Sequence, residues 1–273
     1  MSDDPMLYRW AAPHYLRGRP PYSAELLAVL TAELGLDGDG VLLDVGCGPG
    51  VLAVQLAPAF TSVIGLEPDP GMLVEAEAHA RQSGVEHVTW IGGRAEQIGA
   101  LDLPPVRLAT FGQSFHWTDR IPVAEAVYDV LEPGGSIALI THDIDDRPVA
   151  VEAPAPPIPH DQVRAVVRRY LGREDRAGHG LRPAWPERYE ESLARTRFGP
   201  PRVVHAPGRT DIVRDADEVV SMFLSMSWAA PHLFGDDLDA FVADAHAVLA
   251  AASPDGRFWE WPGDTVAIIA TKP

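Results

Sequence analysis

The feature that most constrains this chain is a regular alternation between residues 21 and 145, where short apolar runs are followed by amphipathic stretches. This alternation is typical of βαβ units, which build a mainly parallel sheet covered by helices. Two later apolar runs, at residues 200–206 and 265–271, bring the number of predicted strands to seven. The sequence therefore predicts an α/β fold with helices on both faces of the sheet.

Local signals mark where the first elements begin and end. The first predicted strand, Val41-Leu42-Leu43, has no polar alternation, as expected for a parallel strand that is covered on both sides. A helix is predicted to begin at Ser23 and to end at Gly35, a residue type that favours the position after a helix. Asp69-Pro70 predicts the start of another helix, because it combines an N-cap residue with proline at the first helical position.

Three glycines, Gly46, Gly48 and Gly50, lie between the first predicted strand and the following helix. Without side chains they allow backbone N–H groups to approach a ligand closely. The spacing lacks the later glycine that a dinucleotide site uses at its pyrophosphate. Asp44 ends the first strand, where its carboxylate suits an ammonium group, and Glu67 ends the second, where it suits the vicinal hydroxyls of a ribose. Together these residues predict a nucleoside-containing ligand.

Composition excludes several classes of partner. The net charge of −17 argues against nucleic acid and against an anionic membrane surface, because both attract clustered Lys and Arg. Cys47 is the single cysteine, and the histidines show no metal-ligand spacing, so we expect no metal site. We expect a cytoplasmic monomer or homodimer that acts on a small molecule, with no membrane span and no cleaved leader.

Residues 41–50, with the sequence VLLDVGCGPG, resemble the signature of class I S-adenosylmethionine-dependent methyltransferases. Residues 65–68, 93–96 and 131–135 are similar, in the same order, to that family's ribose segment, adenine turn and loop before the fifth strand. The resemblance implies S-adenosylmethionine as cofactor and a Rossmann-like, seven-stranded, mostly parallel sheet whose last strand is antiparallel. It also implies that Asp44, Gly46, Cys47, Gly48, Gly50, Glu67, Pro68 and Met72 bind the cofactor.

For the adenine amino group, the resemblance leaves two candidates, the Glu96 side chain and the Ala95 backbone. Residues 113–117 and 15–22 resemble the trans-aconitate methyltransferase-like subgroup, which methylates small molecules. That resemblance implies that Tyr15 and Arg19 close over the cofactor. It also places Gln113, Ser114 and Phe115 at the cofactor, and His116 either as a general base or as part of the pocket wall. The predicted substrate contacts are Trp117, His142 and Trp228.

Four regions are predicted: an N-terminal lid (1–22), the cofactor-binding core (23–147), an inserted helical cap (148–199) and a segment that completes the sheet and adds substrate-pocket helices (200–273). Five prolines between Pro148 and Pro159 mark the insertion boundary. The expected activity is methyl transfer to an oxygen, nitrogen or carbon of a small molecule, in secondary metabolism. Two alternatives stay open: a protein that retains the cofactor structurally, such as a cyclase, and a nicotinamide-dependent oxidoreductase.

Overall fold

The structure, a computed structural model, describes residues 8, 10–143, 152–172 and 187–273, together with the backbone of residues 176–177 and 180–181. Part of the predicted lid (residues 1–7 and 9) and the start of the proline-rich segment at Pro148 lie outside the described residues. Within these ranges, no helix has the length and apolar character that crossing a membrane requires.

Helices and strands alternate through the first half of the chain as predicted. The helices are α1 (Ala12–Gly18), α2 (Leu26–Leu34), α3 (Val51–Leu56), α4 (Pro70–Gln82), α5 (Arg120–Val130), α6 (His160–Leu171), α7 (Tyr189–Ala194), α8 (Ala216–Leu224) and α9 (Leu238–Ala252). The strands are β1 (Val41–Val45), β2 (Ser62–Glu67), β3 (Val88–Gly92), β4 (Val106–Gly112), β5 (Leu131–Asp143), β6 (Arg176–Ala177), β7 (Gly180–Leu181), β8 (Arg202–Ala206), β9 (Ile212–Asp215), β10 (Arg257–Glu260) and β11 (Asp264–Thr271).

Seven of these strands form the main sheet, in the order β3-β2-β1-β4-β5-β11-β8. Strands β1 to β5 pair in parallel, whereas β11 runs antiparallel to both β5 and β8. The predicted Rossmann-like sheet with an antiparallel last strand is therefore confirmed. Strand order reverses at β1, which lies between β2 and β4, and in such sheets this switch point is where ligands bind.

The main sheet buries apolar residues on both faces, which explains why its strands lack polar alternation. Leu42 packs with α2 and α3 on one face, and the next residue, Leu43, packs with α5 and α7 on the other. Adjacent residues of a strand point to opposite faces, so a strand covered on both sides needs apolar residues at every position. Gly35 ends α2 with φ 62°, and Asp69 caps α4 through the N–H groups of Gly71 and Met72, as predicted.

A third apolar core lies outside the sheet, between α6, α8, α9 and β10. It includes Val163 of α6, Phe223 of α8 and Phe241 of α9, all of them buried. Helices from the predicted cap and from the predicted C-terminal segment thus share one core. The boundaries at 147 and 199 stay predictions.

Several features differ from the sequence expectations, among them the unpredicted antiparallel pair β6–β7. Helix α2 begins at Leu26, because Ser23 is tied to other segments: its N–H donates to Thr265 Oγ1 at 2.7 Å and its hydroxyl to the Pro207 carbonyl at 2.7 Å. The antiparallel pair β9–β10 was not predicted. These two strands are brought together from distant parts of the chain, so no local turn signal marks them.

Candidate functional site

A cavity of about 390 Å³ opens at the carboxyl ends of β1, β4 and β5, beside the switch point of the sheet. Residues of the glycine loop form its floor, α1 and the segment after it cover one side, and residues 226–228 cover another. The wall is rich in aromatic side chains. Its lining includes Tyr8, Tyr15, Tyr22, His116, Trp117, His142 and Trp228.

The glycine loop has the backbone shape that the sequence predicts. Gly46, Gly48 and Gly50 have φ values of 63°, 53° and 75°, a region that favours glycine. A Cβ on Gly46 would lie 2.6 Å from Ser114 Cβ, so this glycine also lets the loop after β4 approach β1. The Ser114 hydroxyl fixes that approach, donating to the Val45 carbonyl at 2.6 Å.

Asp44 lies at the end of β1 with only 1% of its surface exposed. Its carboxylate accepts hydrogen bonds from Thr110 Oγ1 at 2.8 Å and from the Ala53 N–H at 3.2 Å. Burial nevertheless raises the Asp44 pKa to about 6. A carboxylate accepts about four hydrogen bonds, so Asp44 retains capacity for a donor in the cavity that it lines. A cationic donor would favour its ionised form.

Glu67 lies behind the glycine loop and outside the cavity lining. Its two oxygens accept from the Gly48 N–H and the Asp69 N–H, each at 3.0 Å. Burial raises the Glu67 pKa to about 7, and these two hydrogen bonds oppose that rise. Two acceptor positions remain on the carboxylate, which is the number that a pair of vicinal hydroxyls would use.

Arg19 follows α1 and brings a positive charge to the cavity. Its guanidinium packs over the Tyr15 ring, 4.9 Å from the centroid, and donates to the Ser225 carbonyl at 2.8 Å. Its Nε is buried with no hydrogen-bond partner, and it makes no ion pair within the described ranges. A half-buried guanidinium with donors to spare suits a carboxylate ligand.

The backbone around Arg19 is held by a second arginine. Arg214, on β9, donates to the carbonyls of Arg17 and Arg19 at 2.8 and 2.9 Å. Its Nε pairs with Glu260 on β10 at 2.7 Å, and both side chains are only 8% exposed. The unpredicted β9–β10 pair thus anchors the backbone segment that carries Arg19.

His116, in the loop after β4, lines the cavity and contacts the inserted segment. Its Nδ1 lies 3.0 Å from the Tyr189 hydroxyl at the start of α7. Burial raises the Tyr189 pKa above its usual value, so this hydroxyl stays protonated near neutral pH. An imidazole whose Nδ1 donates to Tyr189 presents an unprotonated Nε2 elsewhere, which is what a general base requires.

His142, at the end of β5, stacks on Tyr22 with ring centroids 4.9 Å apart and planes 6° from parallel. Burial, with a smaller contribution from the Arg19 charge, lowers the His142 pKa to about 4. This ring is therefore uncharged at neutral pH. Gln113 lies nearby: it has φ 53° and donates from Nε2 to Thr141 Oγ1 at 3.1 Å.

The structure brings eleven of the predicted site residues to the cavity. These are Tyr15, Arg19, Asp44, Gly46, Cys47, Gly48, Gln113, His116, Trp117, His142 and Trp228. The other predicted residues are not among those that line the cavity: Gly50, Glu67, Pro68, Met72, Ala95, Glu96, Ser114 and Phe115. Of these, Met72 and Phe115 are almost fully buried, and Glu96 is held by Arg94 and the Asp119 N–H. Their roles stay predictions.

Sequence reasoning missed several residues at the site. Tyr8, Met226 and Ser227 line the cavity, Tyr189 contacts His116, and Arg214 holds the lid. None of them belongs to a motif, because their positions depend on contacts between distant segments. Within the described part of the chain, no three His, Cys, Asp or Glu side chains come together as metal ligands.

Comparison with known proteins identifies the domain that carries this cavity. Residues 42–135 match a methyltransferase domain family. A Mycobacterium tuberculosis methyltransferase described as uncharacterized is 32% identical over 133 residues, which cover 49% of this chain and 51% of that protein. A ubiquinone biosynthesis O-methyltransferase from Azorhizobium caulinodans is 36% identical over 89 residues, covering 33% and 31%. The chain spans about half of these relatives' lengths or less.

Solved structures share the fold over nearly the whole chain. A Bacillus halodurans protein provisionally described as a methyltransferase has a TM-score of 0.51 at 19% identity, covering 91% of this chain and 99% of its own. A precorrin 8W decarboxylase from Methanobacterium thermoautotrophicum has a TM-score of 0.50 at 14% identity, covering 94% of each chain. At these identities the likeness shows the fold alone. Membership of the trans-aconitate methyltransferase-like subgroup stays a prediction.

Proposed function

We propose that this chain, which carries a class I S-adenosylmethionine-dependent methyltransferase domain, transfers the cofactor's methyl group to an oxygen, nitrogen or carbon of a small molecule. The observation that carries the proposal is the placement of opposite charges on one cavity. Asp44 and Arg19 both line it, next to the glycine loop, and match the ammonium and carboxylate ends of an amino acid.

The residues present fit this cofactor. Arg19, with its unpartnered Nε, would bind the carboxylate, and Asp44, with acceptor capacity left, would bind the ammonium group. Glu67 would accept hydrogen bonds from the ribose hydroxyls. When bound, the cofactor supplies a methyl group on a positively charged sulfur, which a nucleophile displaces in line. Its leaving group is a neutral thioether and needs no proton.

The chain's own contribution is therefore alignment, exclusion of water and, for a hydroxyl nucleophile, removal of a proton. The lid residues Tyr15 and Arg19 cover the cavity, and Trp117 and Trp228 supply apolar surface. His116, with Nδ1 directed at Tyr189, would take the proton through Nε2. We also propose a cytoplasmic location, supported by the single, buried cysteine, and a monomer or homodimer.

Binding and transfer are tested separately. Calorimetric titration with S-adenosylmethionine, S-adenosylhomocysteine and NAD should show micromolar binding of the first two, whereas binding of NAD alone would refute the proposal. Incubation with cofactor carrying a labelled methyl group and a panel of acceptors should then yield a labelled product. Tight cofactor binding with no transfer to any acceptor class would instead support a structural role for the cofactor.

A further inference from the structure

The acceptor's chemistry can be inferred from what the cavity offers once the cofactor is bound, an argument that rests on the proposed function. Among the described residues that line the cavity, Arg19 and Asp44 are the only Arg, Lys, Asp or Glu side chains. The cofactor's carboxylate and ammonium groups would use both. No charged side chain of these four types is then left for the acceptor, and burying an unpaired charge is costly.

The remaining wall is rich in aromatic rings. Tyr22, Trp117 and Trp228 line it, and His142 lies parallel to Tyr22. We call these four residues the acceptor wall. Aromatic faces gain most by packing against another flat ring system. A planar acceptor therefore fits this wall better than a branched or saturated one.

His142 supplies the specific polar contact. Its Nδ1 is buried and has no hydrogen-bond partner. Nε2 also makes no hydrogen bond within the described chain, but unlike Nδ1 it keeps solvent-accessible surface. His142 lines the cavity. Buried N–H groups without an acceptor are rarer than unpaired acceptors, so the proton belongs on Nε2. The ring then offers an N–H donor to a ligand.

This donor carries no charge. The His142 pKa is lowered to about 4, chiefly by burial, so the ring stays neutral at any pH where the protein is expected to work. A neutral N–H suits a carbonyl or hydroxyl oxygen, and it gives little compensation for burying a carboxylate.

We propose that the acceptor wall binds an uncharged, planar molecule with a hydroxyl nucleophile and a neighbouring oxygen that accepts a hydrogen bond from His142 Nε2. His116, on the same cavity, is the base that takes the proton of that hydroxyl. With the cofactor bound, the hydroxyl O–H bond would break and its proton would go to His116 Nε2, while an O–CH3 bond would form as the S–CH3 bond breaks and its electron pair stays on sulfur as a neutral thioether.

The test uses matched small probes and the full chain saturated with S-adenosylhomocysteine, so that Arg19 and Asp44 are occupied. The probes are 2-hydroxyacetophenone, which is planar and neutral; salicylate, which is its anionic counterpart; 2-hydroxybenzylamine, which is cationic; and 2-acetylcyclohexanol, which is not planar. Binding is measured by calorimetry at about pH 7.5, where the two charged probes are ionised. The neutral planar probe should bind at least about tenfold more tightly than each of the others.

His142→Phe keeps a ring to stack on Tyr22 and removes the donor. It should weaken binding of 2-hydroxyacetophenone by about fivefold or more, because one hydrogen bond is lost. His205→Phe is the matched control, since His205 is exposed on β8, away from the cavity, and should leave binding unchanged. The ranking of the four probes is measured on the unaltered chain, so it decides the proposal even if the His142 variant does not fold.

Three results would overturn the inference. Salicylate or the amine could bind as tightly as the neutral probe, the nonplanar probe could match it, or His142→Phe could bind it unchanged while still binding S-adenosylhomocysteine. In each of these cases the proposed function stands, because the cofactor product binds. Failure to bind S-adenosylhomocysteine at all would refute the proposed function, and the inference with it.

Discussion

The ionisation of Glu67 predicts a pH-dependent affinity for nucleosides, and the magnitude of the change follows from the raised pKa of this residue. The residue is 9% exposed, and burial raises its pKa to about 7. If it accepts hydrogen bonds from the ribose, the ligand favours the ionised form, because a carboxylate is the stronger acceptor. Nucleoside affinity should therefore rise as pH increases through 7 and level off above it.

The expected change in affinity is set by the fraction of Glu67 that is ionised. With a pKa of about 7, about one-tenth of Glu67 is ionised at about pH 6 and about nine-tenths at about pH 8. The dissociation constant should thus fall about tenfold over this range, or about 1.4 kcal/mol of binding free energy.

The same raised pKa lowers the free energy of unfolding as pH rises, because between about pH 4.5 and 7 the unfolded chain releases the Glu67 proton while the folded chain retains it.

Adenosine is the suitable ligand for the assay. It carries the two ribose hydroxyls but no amino or carboxyl group, so contacts of the cofactor's amino-acid end with Asp44 and Arg19 do not enter the measurement. Calorimetric titration should give the tenfold change for the natural chain. The Glu67→Gln variant cannot ionise, and it should bind adenosine weakly with no pH dependence between these limits.

The reasoning is wrong if the natural chain binds adenosine with the same affinity at both pH values. It is also wrong if Glu67→Gln keeps the same slope, because another group then titrates. Asp69→Asn is a useful control: Asp69 donates its N–H to Glu67 but keeps its own side chain on the α4 N-terminus. It should keep a pH-dependent affinity but with the midpoint at lower pH, because the charge of Asp69 contributes to raising the Glu67 pKa, and Asn is about as good an N-cap as Asp, so stability should change little.

Two further predictions concern residues that hold the site. Arg214→Met leaves Glu260 buried without its partner and frees the carbonyls of the lid, so urea denaturation should show a loss of about 3–5 kcal/mol and S-adenosylhomocysteine should bind more weakly. Arg209→Met breaks an exposed pair and should leave the denaturation midpoint almost unchanged, and equal losses would contradict the role of burial. Tyr189→Phe removes the hydrogen bond to His116 but keeps the ring, so kcat should fall about tenfold. The apparent pKa below which activity is lost should also shift, because it reports protonation of the base. Unchanged turnover and profile, once an acceptor is known, would show that Tyr189 does not position His116.

Much of the fold follows from local sequence signals. The apolar runs without alternation predict β1, β2, β4 and β5 because those strands are buried on both faces. The Asp69-Pro70 pair and Gly35 mark helix ends through backbone requirements of single residues. The glycine loop is also predicted from single residues, since glycine adopts the positive φ values of this loop more readily than other residues do. Each of these features depends on a few neighbouring residues, which is why a sequence can show them.

The site beyond the glycine loop depends on long-range contacts. Arg19 reaches Ser225, which is 206 residues away, and His116 reaches Tyr189, 73 residues away. The β9–β10 pair and the helical core of α6, α8 and α9 join segments that are distant in the chain, and no local sequence pattern shows that these segments meet. No spacing rule links such residues, because their proximity is set by how helices and strands pack once the chain is folded.

The sequence by itself therefore determined the strands of the sheet and the loop from Asp44 to Gly50, since hydrophobic periodicity and backbone conformation are encoded residue by residue. Only the tertiary structure decided which charges share the cavity, that Glu67 lies behind the loop with two N–H donors, and that His142 is neutral beside Tyr22. Burial and the approach of distant groups set those properties, and neither exists until the chain has folded.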